Sequence, residues 1–482
     1  MYRRIVATML TLAIIVAGFV PVMADAPFEG FTYNFWGDYV PTPAAYVPVL
    51  SVGGRDFGIG DFTTPQDISS DLYGNIYVAD TGNNRIVKFD RNIELVWVID
   101  SFLRDGQPDS FNSPNGIFVS EDMLIHIADT ESRRIITLDQ EGNFVREIGP
   151  PEFGDLDEAV DFRPLKVLVD RGGRVFVSAL HVVEGMMTFN SDGDFMGYYG
   201  TIRVFFNPID MLWRFLSTQE QRARQAMFIP TEFAGMDIDP YGFIFATNRA
   251  PWGDNMVQRL NPRGENVLLN LNTNVQVTGS QRYRITGPLS GRSMFVDVAA
   301  RSHGMFSVLD SIRGRVYTYD SEGNLLYAFA GIGNILGMSR NPVAIEAVGD
   351  SLLILDDRRG HIIYFEPTEY GNLINSAIAL AYDGDGAGAV EKWTRLLEID
   401  EHFTLAHVGI GRAHLAAGEN RLAMEYLQRG MDVRYYSVAL RRFRTEILSE
   451  VLPYVLTVGL AGAVAIVGFR IFKRFKKGGA VS

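Results

Sequence analysis

Four aspartates in the middle of the chain, Asp80, Asp129, Asp310 and Asp357, each close a short apolar run, and Asp67 precedes another. Carboxylates repeated at one position converge if their runs converge. A ring of them would offer oxygen ligands to Ca²⁺. The same residue type also caps turns, accepting hydrogen bonds from amides such as those near Asn84 and Arg85. Both readings stand, and the identity of any metal is unknown from sequence. Four histidines share this region: His126, His181, His303 and His361. They fall at different points of their runs, which argues against a converging cluster. No P-loop, Gly-x-Ser-x-Gly or His-Glu-x-x-His motif occurs. Asp383-Gly384-Asp385-Gly386 opens like a calcium loop, yet Thr394 stands where the closing glutamate is needed. No residue is assigned a catalytic role, and no cofactor is expected beyond Ca²⁺ on the carboxylates.

These residues are positioned by an internal repeat. Pro65-Gln66-Asp67-Ile68, Gly74 to Asp80 and Asn84 to Asp90 return in the same order as Pro114 to Ile117, Leu124 to Asp129 and Arg134 to Asp139. Asp129 follows Asp80 by 49 residues. Further copies run through Pro164 to Phe189, Met236 to Leu260, Phe306 to Asp320 and Pro342 to Phe365. In the third and fourth copies Ala179 and Thr247 align with the aspartate. Each copy holds three short apolar or alternating runs between Gly, Asp and Asn turns, which read as strands. A fourth follows most copies, as at Leu95 to Ile99, Phe144 to Ile148 and Leu325 to Phe329. Four strands per period of about 50 residues is the signature of a propeller blade. A blade cannot bury both faces alone, whereas six in a ring can. The last copy lacks a fourth strand, and Tyr46 to Val52 is a strand without a copy. Pairing the two closes the ring.

Ala79-Asp80-Thr81-Gly82-Asn83-Asn84-Arg85 and Ala128-Asp129-Thr130-Glu131-Ser132-Arg133-Arg134 carry a resemblance to NHL repeats. The resemblance covers residues 45–366 and implies a six-bladed β-propeller. Some propellers of this kind are enzymes, among them peptide-amidating lyases, streptogramin lyases and lactonases of the gluconolactonase type. Their resemblance implies a divalent metal or histidines in the central channel.

The third and fourth copies are further apart than the first two. The excess, 207–227, reads as a helix beginning at Asn207-Pro208. Ile209, Leu212, Trp213 and Leu216 share a face, with Arg214 and Phe215 beside it. Trp213, Arg214 and Phe215 make this helix either a packed element of the rim or a lid or contact surface. After Pro367 the period becomes helical. Gly384, Ala389 and Trp393 are matched 34 positions later by Gly418, Ala423 and Leu427, a spacing that resembles tetratricopeptide repeats over 371–432. Residues 433–450 then form a capping helix.

Both ends read as membrane signals. Residues 1–24, with Arg3, Arg4 and an apolar run, are laid out as a secretory signal, or as an uncleaved anchor. An N-terminal extension, 25–44, links it to the propeller. Val451 to Phe469 contains no charge and is long enough to span a bilayer, within a segment extending to 472. Arg470, Lys473 and Arg474 begin a basic cluster, continued in the tail 473–482, that points to the cytoplasmic side. The formal charge is −13, which disfavours nucleic acid as a partner. Residues 1–24 and 470–482 carry two and five basic groups and no acid, so the part between carries −20. There is no cysteine, so disulfides and thiolate chemistry are absent.

The sequence therefore specifies a mainly β chain: a six-bladed propeller, a tetratricopeptide-like helical module and one transmembrane helix. The expected role is a single-span bacterial membrane protein, its ectodomain outside, binding a protein, peptide or envelope glycan. The alternative is a metal-dependent lactonase or lyase with its site in the channel.

Overall fold

Runs such as Ile76-Tyr77-Val78-Ala79-Asp80 and Ile125-His126-Ile127-Ala128-Asp129 are buried at every residue, not at alternate ones. A strand buried on both faces must lie between two sheets. The computed structural model satisfies this with sheets stacked face to face around a central axis. It describes residues 26–151, 161–200, 232–248, 256–268, 277, 279–281, 283, 285–287 and 289–478. The segment 1–24 and the insertion with Trp213, Arg214 and Phe215 lie outside the described residues.

Six antiparallel blades follow the six copies. The first runs Asp67–Ser70, Ile76–Asp80, Arg85–Phe89, Leu95–Ile99, and the second Pro114–Val119, Ile125–Asp129, Arg134–Leu138, Phe144–Ile148. The third runs Pro164–Val169, Val175–Ala179, Met186–Phe189, Phe195–Tyr199. The fourth, among the described residues, has Phe233–Ile238, Ile244–Asn248 and Val257–Leu260. The fifth runs Phe295–Ala300, Phe306–Asp310, Arg315–Tyr319, Leu325–Phe329. The sixth has Pro342–Val348, Ser351–Asp356 and His361–Pro367. In each blade the first strand is innermost. The turn after it is held by a side chain: Asp71 Oδ1 accepts from the amides of Tyr73 and Asn75, both at 2.9 Å, with Gly74 at φ +83°. Asp239 repeats the device in the fourth blade.

Tyr46–Gly53 supplies the missing strand of the sixth blade, pairing antiparallel to His361–Pro367 with Ser51 opposite Ile363. Tyr46 is fully buried and stacks on Phe329 at 4.8 Å. The N-terminal extension is structured too. Gly30–Tyr33 and Tyr39–Thr42 form a hairpin joined to the outer edge of the fifth blade through Phe31 and Ala328.

Among the described residues five helices follow: α1 (Glu369–Tyr382), α2 (Gly386–Ile399), α3 (Thr404–Ala416), α4 (Asn420–Arg429) and α5 (Val433–Gly478). Thr368 caps α1, its Oγ1 accepting from Gly371 N at 3.2 Å and donating to Ala44 O at 2.7 Å. The α1–α3 layer shares one apolar core with the fifth and sixth blades, including Tyr46, Phe329, Ile374, Trp393 and Ile410. Glycines permit close helix approach: a Cβ on Gly411 would lie 2.6 Å from the Leu427 side chain. α5 is continuous, exposed, and long and apolar enough to cross a membrane.

If Tyr46–Gly53 holds the ring shut, Tyr46→Ala should cost about 3–5 kcal/mol. A denaturant titration measures this, and an unchanged midpoint would contradict the role given to the closing strand.

Candidate functional site

The repeated aspartates face their own loops, not the axis. Asp80 accepts from Thr63 N at 2.7 Å and pairs with Arg85 Nε at 2.7 Å. Asp129 accepts from Asn112 N at 2.6 Å and pairs with Arg134 Nε at 2.9 Å. Asp310 accepts from Met294 N at 3.2 Å and pairs with Arg313. All three are fully buried, and each ties the loop that enters its blade. In the sixth blade the equivalent residue is Asp356, not Asp357. Asp356 pairs across from Pro342 as Asp129 does from Pro114, and it accepts from Arg340 N at 2.6 Å. Asp357 lies one residue on and accepts from the Asn341 side chain. In the fourth blade the aspartate's place belongs to Asn248, opposite Phe233, and not to Thr247. The threonine after the aspartate joins blades. Thr81 Oγ1 donates to Pro114 O at 2.7 Å and Thr130 Oγ1 to Pro164 O at 2.6 Å.

Asp67 alone of the sequence candidates reaches the axis. A cavity of about 910 Å³ runs between the six inner strands. Near the start of each inner strand one residue contributes to a ring: Asp67, Gly116, Lys166, Gly235, Asp297 and Ala344. Charged and small residues alternate blade by blade. The small ones leave necessary room, since a Cβ on Gly235 would lie 2.2 Å from Asp297 Oδ1 and one on Gly116 2.5 Å from Leu165 O. Lys166 Nζ bonds to Asp67 Oδ1 and lies 3.9 Å from Asp297 Oδ1. Two residues further along, Asp237 of the fourth blade and Glu346 of the sixth also line the cavity.

These acids have a structural task. The inner strand is the free edge of its blade, so half its amides have no ladder partner. Each acid serves the following blade. Asp67 Oδ2 accepts from Ile117 N at 2.9 Å, Asp237 Oδ2 from Ala300 N at 2.6 Å, and Asp297 Oδ2 from Ile345 N at 2.9 Å. Glu346 Oε1 accepts from Ser70 N at 2.9 Å and Oγ at 2.6 Å. Burial pushes the Asp237 and Asp297 carboxyls up to about 7. It pushes Glu346 well above the usual range, reinforced by Asp237, and raises Asp67 despite Lys166.

Sequence reasoning missed Lys166, Asp237, Asp297 and Glu346. The available signal was a charge two or four residues into an otherwise apolar inner strand. The histidines are dispersed. His126 is buried between Ser120 Oγ and Thr137 Oγ1, and burial lowers it to about 3. His361 faces Ser51, and His303 Nε2 lies 3.4 Å from Asp383 Oδ2 of the helical module. Among the described residues no group of three His, Asp or Glu has metal-binding geometry.

A second cavity, about 780 Å³, is lined by both the helical module and the propeller. Its walls include Trp36 and Phe35 at the hairpin tip, Tyr382 of α1, Trp393 of α2 and Arg412 of α3. Trp36 is 72% exposed. Arg412 bonds to Glu322 of the fifth blade at 2.7 Å and lies 4.5 Å from the Tyr435 ring centre.

Residues 62–89 match the NHL repeat. The chain is 30% identical over 199 residues to peptidyl-glycine alpha-amidating monooxygenase A of Xenopus laevis, covering 37% of this chain and 21% of that protein. It is 36% identical over 76 residues to a probable peptidyl-alpha-hydroxyglycine alpha-amidating lyase of Caenorhabditis elegans, covering 15% and 22%. The chain thus spans about a fifth of the length of these curated relatives. Virginiamycin B lyase from Staphylococcus aureus aligns with a TM-score of 0.41 at 10% identity, over 67% of this chain and 100% of that one.

A carboxyl with a raised pKa leaves the fold holding a proton that the unfolded chain has lost. Its penalty sets in near the ordinary aspartate value of about 3.9. For Asp237 and Asp297 it is complete above about 7. The melting midpoint should therefore fall between about pH 4 and pH 7, and Asp237→Asn should flatten that fall. An equal slope in wild type and variant would show that this carboxyl does not titrate in the fold.

Proposed function

We propose that this chain is a membrane-anchored binding protein that works outside the cytoplasm. Its propeller and tetratricopeptide-like helices engage a protein, peptide or envelope glycan. The observation that carries this reading is the aromatic-walled groove between two modules that share one core. Because α1 is fixed to the fifth and sixth blades, the groove is preformed, which lowers the entropic cost of binding. Tyr327 Oη donates to Asn375 Oδ1 at 2.7 Å, and Asn375 Nδ2 donates to Tyr46 Oη at 3.3 Å, so polar contacts join the modules as well as apolar ones. The apolar length of α5 and the basic residues Arg470, Lys473 and Arg474 after Phe469 support a single span with the tail inside. The secretory layout of residues 1–24 supports the same orientation. The turn-capping roles of Asp80, Asp129 and Asp310 favour a structural over a Ca²⁺-binding reading of those carboxylates.

A second reading, a metal-dependent lactonase or lyase with its site in the channel, is favoured by the sequence similarity to the amidating enzymes. The channel residues do not fit the divalent metal that this reading implies. A lysine ammonium already sits between Asp67 and Asp297, and each acid is engaged with a backbone amide. No reaction step is assigned to it.

The full-length chain, solubilised from membranes with its partners crosslinked, tests the first reading. Trp36→Ala should reduce the recovered partner at least fivefold, whereas Leu103→Ala, at an exposed site of the hairpin after the first blade, should leave it unchanged. Equal recovery with both variants would place binding away from the groove. Turnover of a peptidyl-alpha-hydroxyglycine, with a stoichiometric bound metal, would establish the second reading instead.

A further inference from the structure

The channel lining holds more acids than its three cations, Lys166, Arg171 and Arg301, can neutralise, and Arg171 is paired with Glu121 while Arg301 bonds to Tyr327 Oη. Lys166 is engaged at the narrow level, where alternate blades contribute Asp67, Lys166 and Asp297. Two residues further along each inner strand, the other three blades contribute Phe118, Asp237 and Glu346 to the same cavity. The two triads have the same construction: two acids from alternate blades and a third member. In the first the third member is an ammonium on an alkyl stem. In the second it is an aromatic ring.

The acids of the second triad act on one another. The charges felt by Glu346 are those of Asp237 and Asp297, and those felt by Asp237 are Asp297 and Asp239. Glu346 spends only Oε1 on Ser70, and Oε2 has no hydrogen-bond partner among the described residues. The cavity wall beside them is apolar, with Ile117, Val167 and Val298. At the mouth Leu72 is 72% exposed. Two carboxylates and an aromatic face around an apolar-walled space match an organic cation, which gains ion pairing and a cation–π contact together. A divalent metal ion takes oxygen ligands and keeps its waters in preference to an aromatic face.

We propose that the channel receives one organic cation, a primary ammonium or guanidinium on an apolar stem such as a basic polypeptide side chain, between Asp237, Glu346 and Phe118. This site is separate from the groove, and its failure would leave the groove reading standing.

The probes are acetyl-lysine amide and acetyl-arginine amide, titrated calorimetrically into the full-length protein in detergent, with acetyl-leucine amide and Ca²⁺ as the other arms. At least one basic probe should bind saturably at pH 8, and the neutral probe should not. Binding should weaken about tenfold at pH 5.5, because the Asp237 carboxyl, pushed up to about 7 by burial, is then protonated and no longer pairs with the cation. Glu346→Gln should weaken it at least tenfold at pH 8. Phe118→Leu, which keeps the bulk and removes the ring, should weaken it threefold or more and stands as the test if Glu346→Gln does not fold. The proposal is overturned if neither basic probe saturates at pH 8, if the variant that folds binds like wild type, or if Ca²⁺ saturates the same acids and the basic probes do not displace it.

Discussion

The rest of the molecule depends on one pairing between distant parts of the chain, Tyr46–Gly53 with His361–Pro367. A propeller left open would expose the outer edge of its last blade and the face of its first. Closure from the N-terminal side has a second effect here. It brings Ala45 and Tyr46 to the point where the chain leaves the propeller, so α1 begins against the closing strand. A Cβ on Gly371 would lie 2.1 Å from Ala45 O, so only glycine permits that approach. Arg301, buried and bonded to Tyr327 Oη at 2.9 Å, extends the junction inward toward the channel wall. The seal of the ring and the seat of the helical module are thus the same contact.

The ring also imposes a problem that its side chains solve. Six inner strands meet with their free edges toward one another, and unpaired buried amides are costly. Acids from one blade take the amides of the next, and Ser69 Oγ does the same for Val119 N at 3.3 Å. That solution concentrates carboxylates at the axis, where burial disfavours their charge. Lys166 and proton uptake are two ways to relieve it. Glycine and alanine on intervening blades let long side chains share the narrow level. The chemistry at the axis follows from how the blades are joined.

Much of this architecture was legible in the sequence, because the blade period and its turn residues are local signals. The six copies, the closing strand and the helical period after Pro367 all rest on such signals. The site was less legible. Asp356 and Asp357 stand side by side, and only the bulge after Pro342, which sets the pairing register, distinguishes them. Asn248 was hidden for the same reason, by the bulge after Phe233. Lys166, Asp237, Asp297 and Glu346 read as solvent-facing positions of ordinary alternating strands, since one strand does not reveal that its polar face meets five others. The hairpin Gly30–Tyr33 with Tyr39–Thr42 pairs with the fifth blade, far along the chain, and carries no repeat signal.

α5 runs on as helix into its apolar stretch, with Pro453 in the first turn of that stretch. From Val433 to Glu450 it is helical, a length of about 27 Å at 1.5 Å per residue. With Val451 to Phe469 in a bilayer, this segment is a rigid spacer and not a tether. A flexible linker would let the propeller sweep a volume and meet targets at any height. A helix built into the module's own packing through Ala439 fixes one height and one heading. A body held this way in a membrane would work as a gauge, meeting only what stands at the matching distance from the lipid.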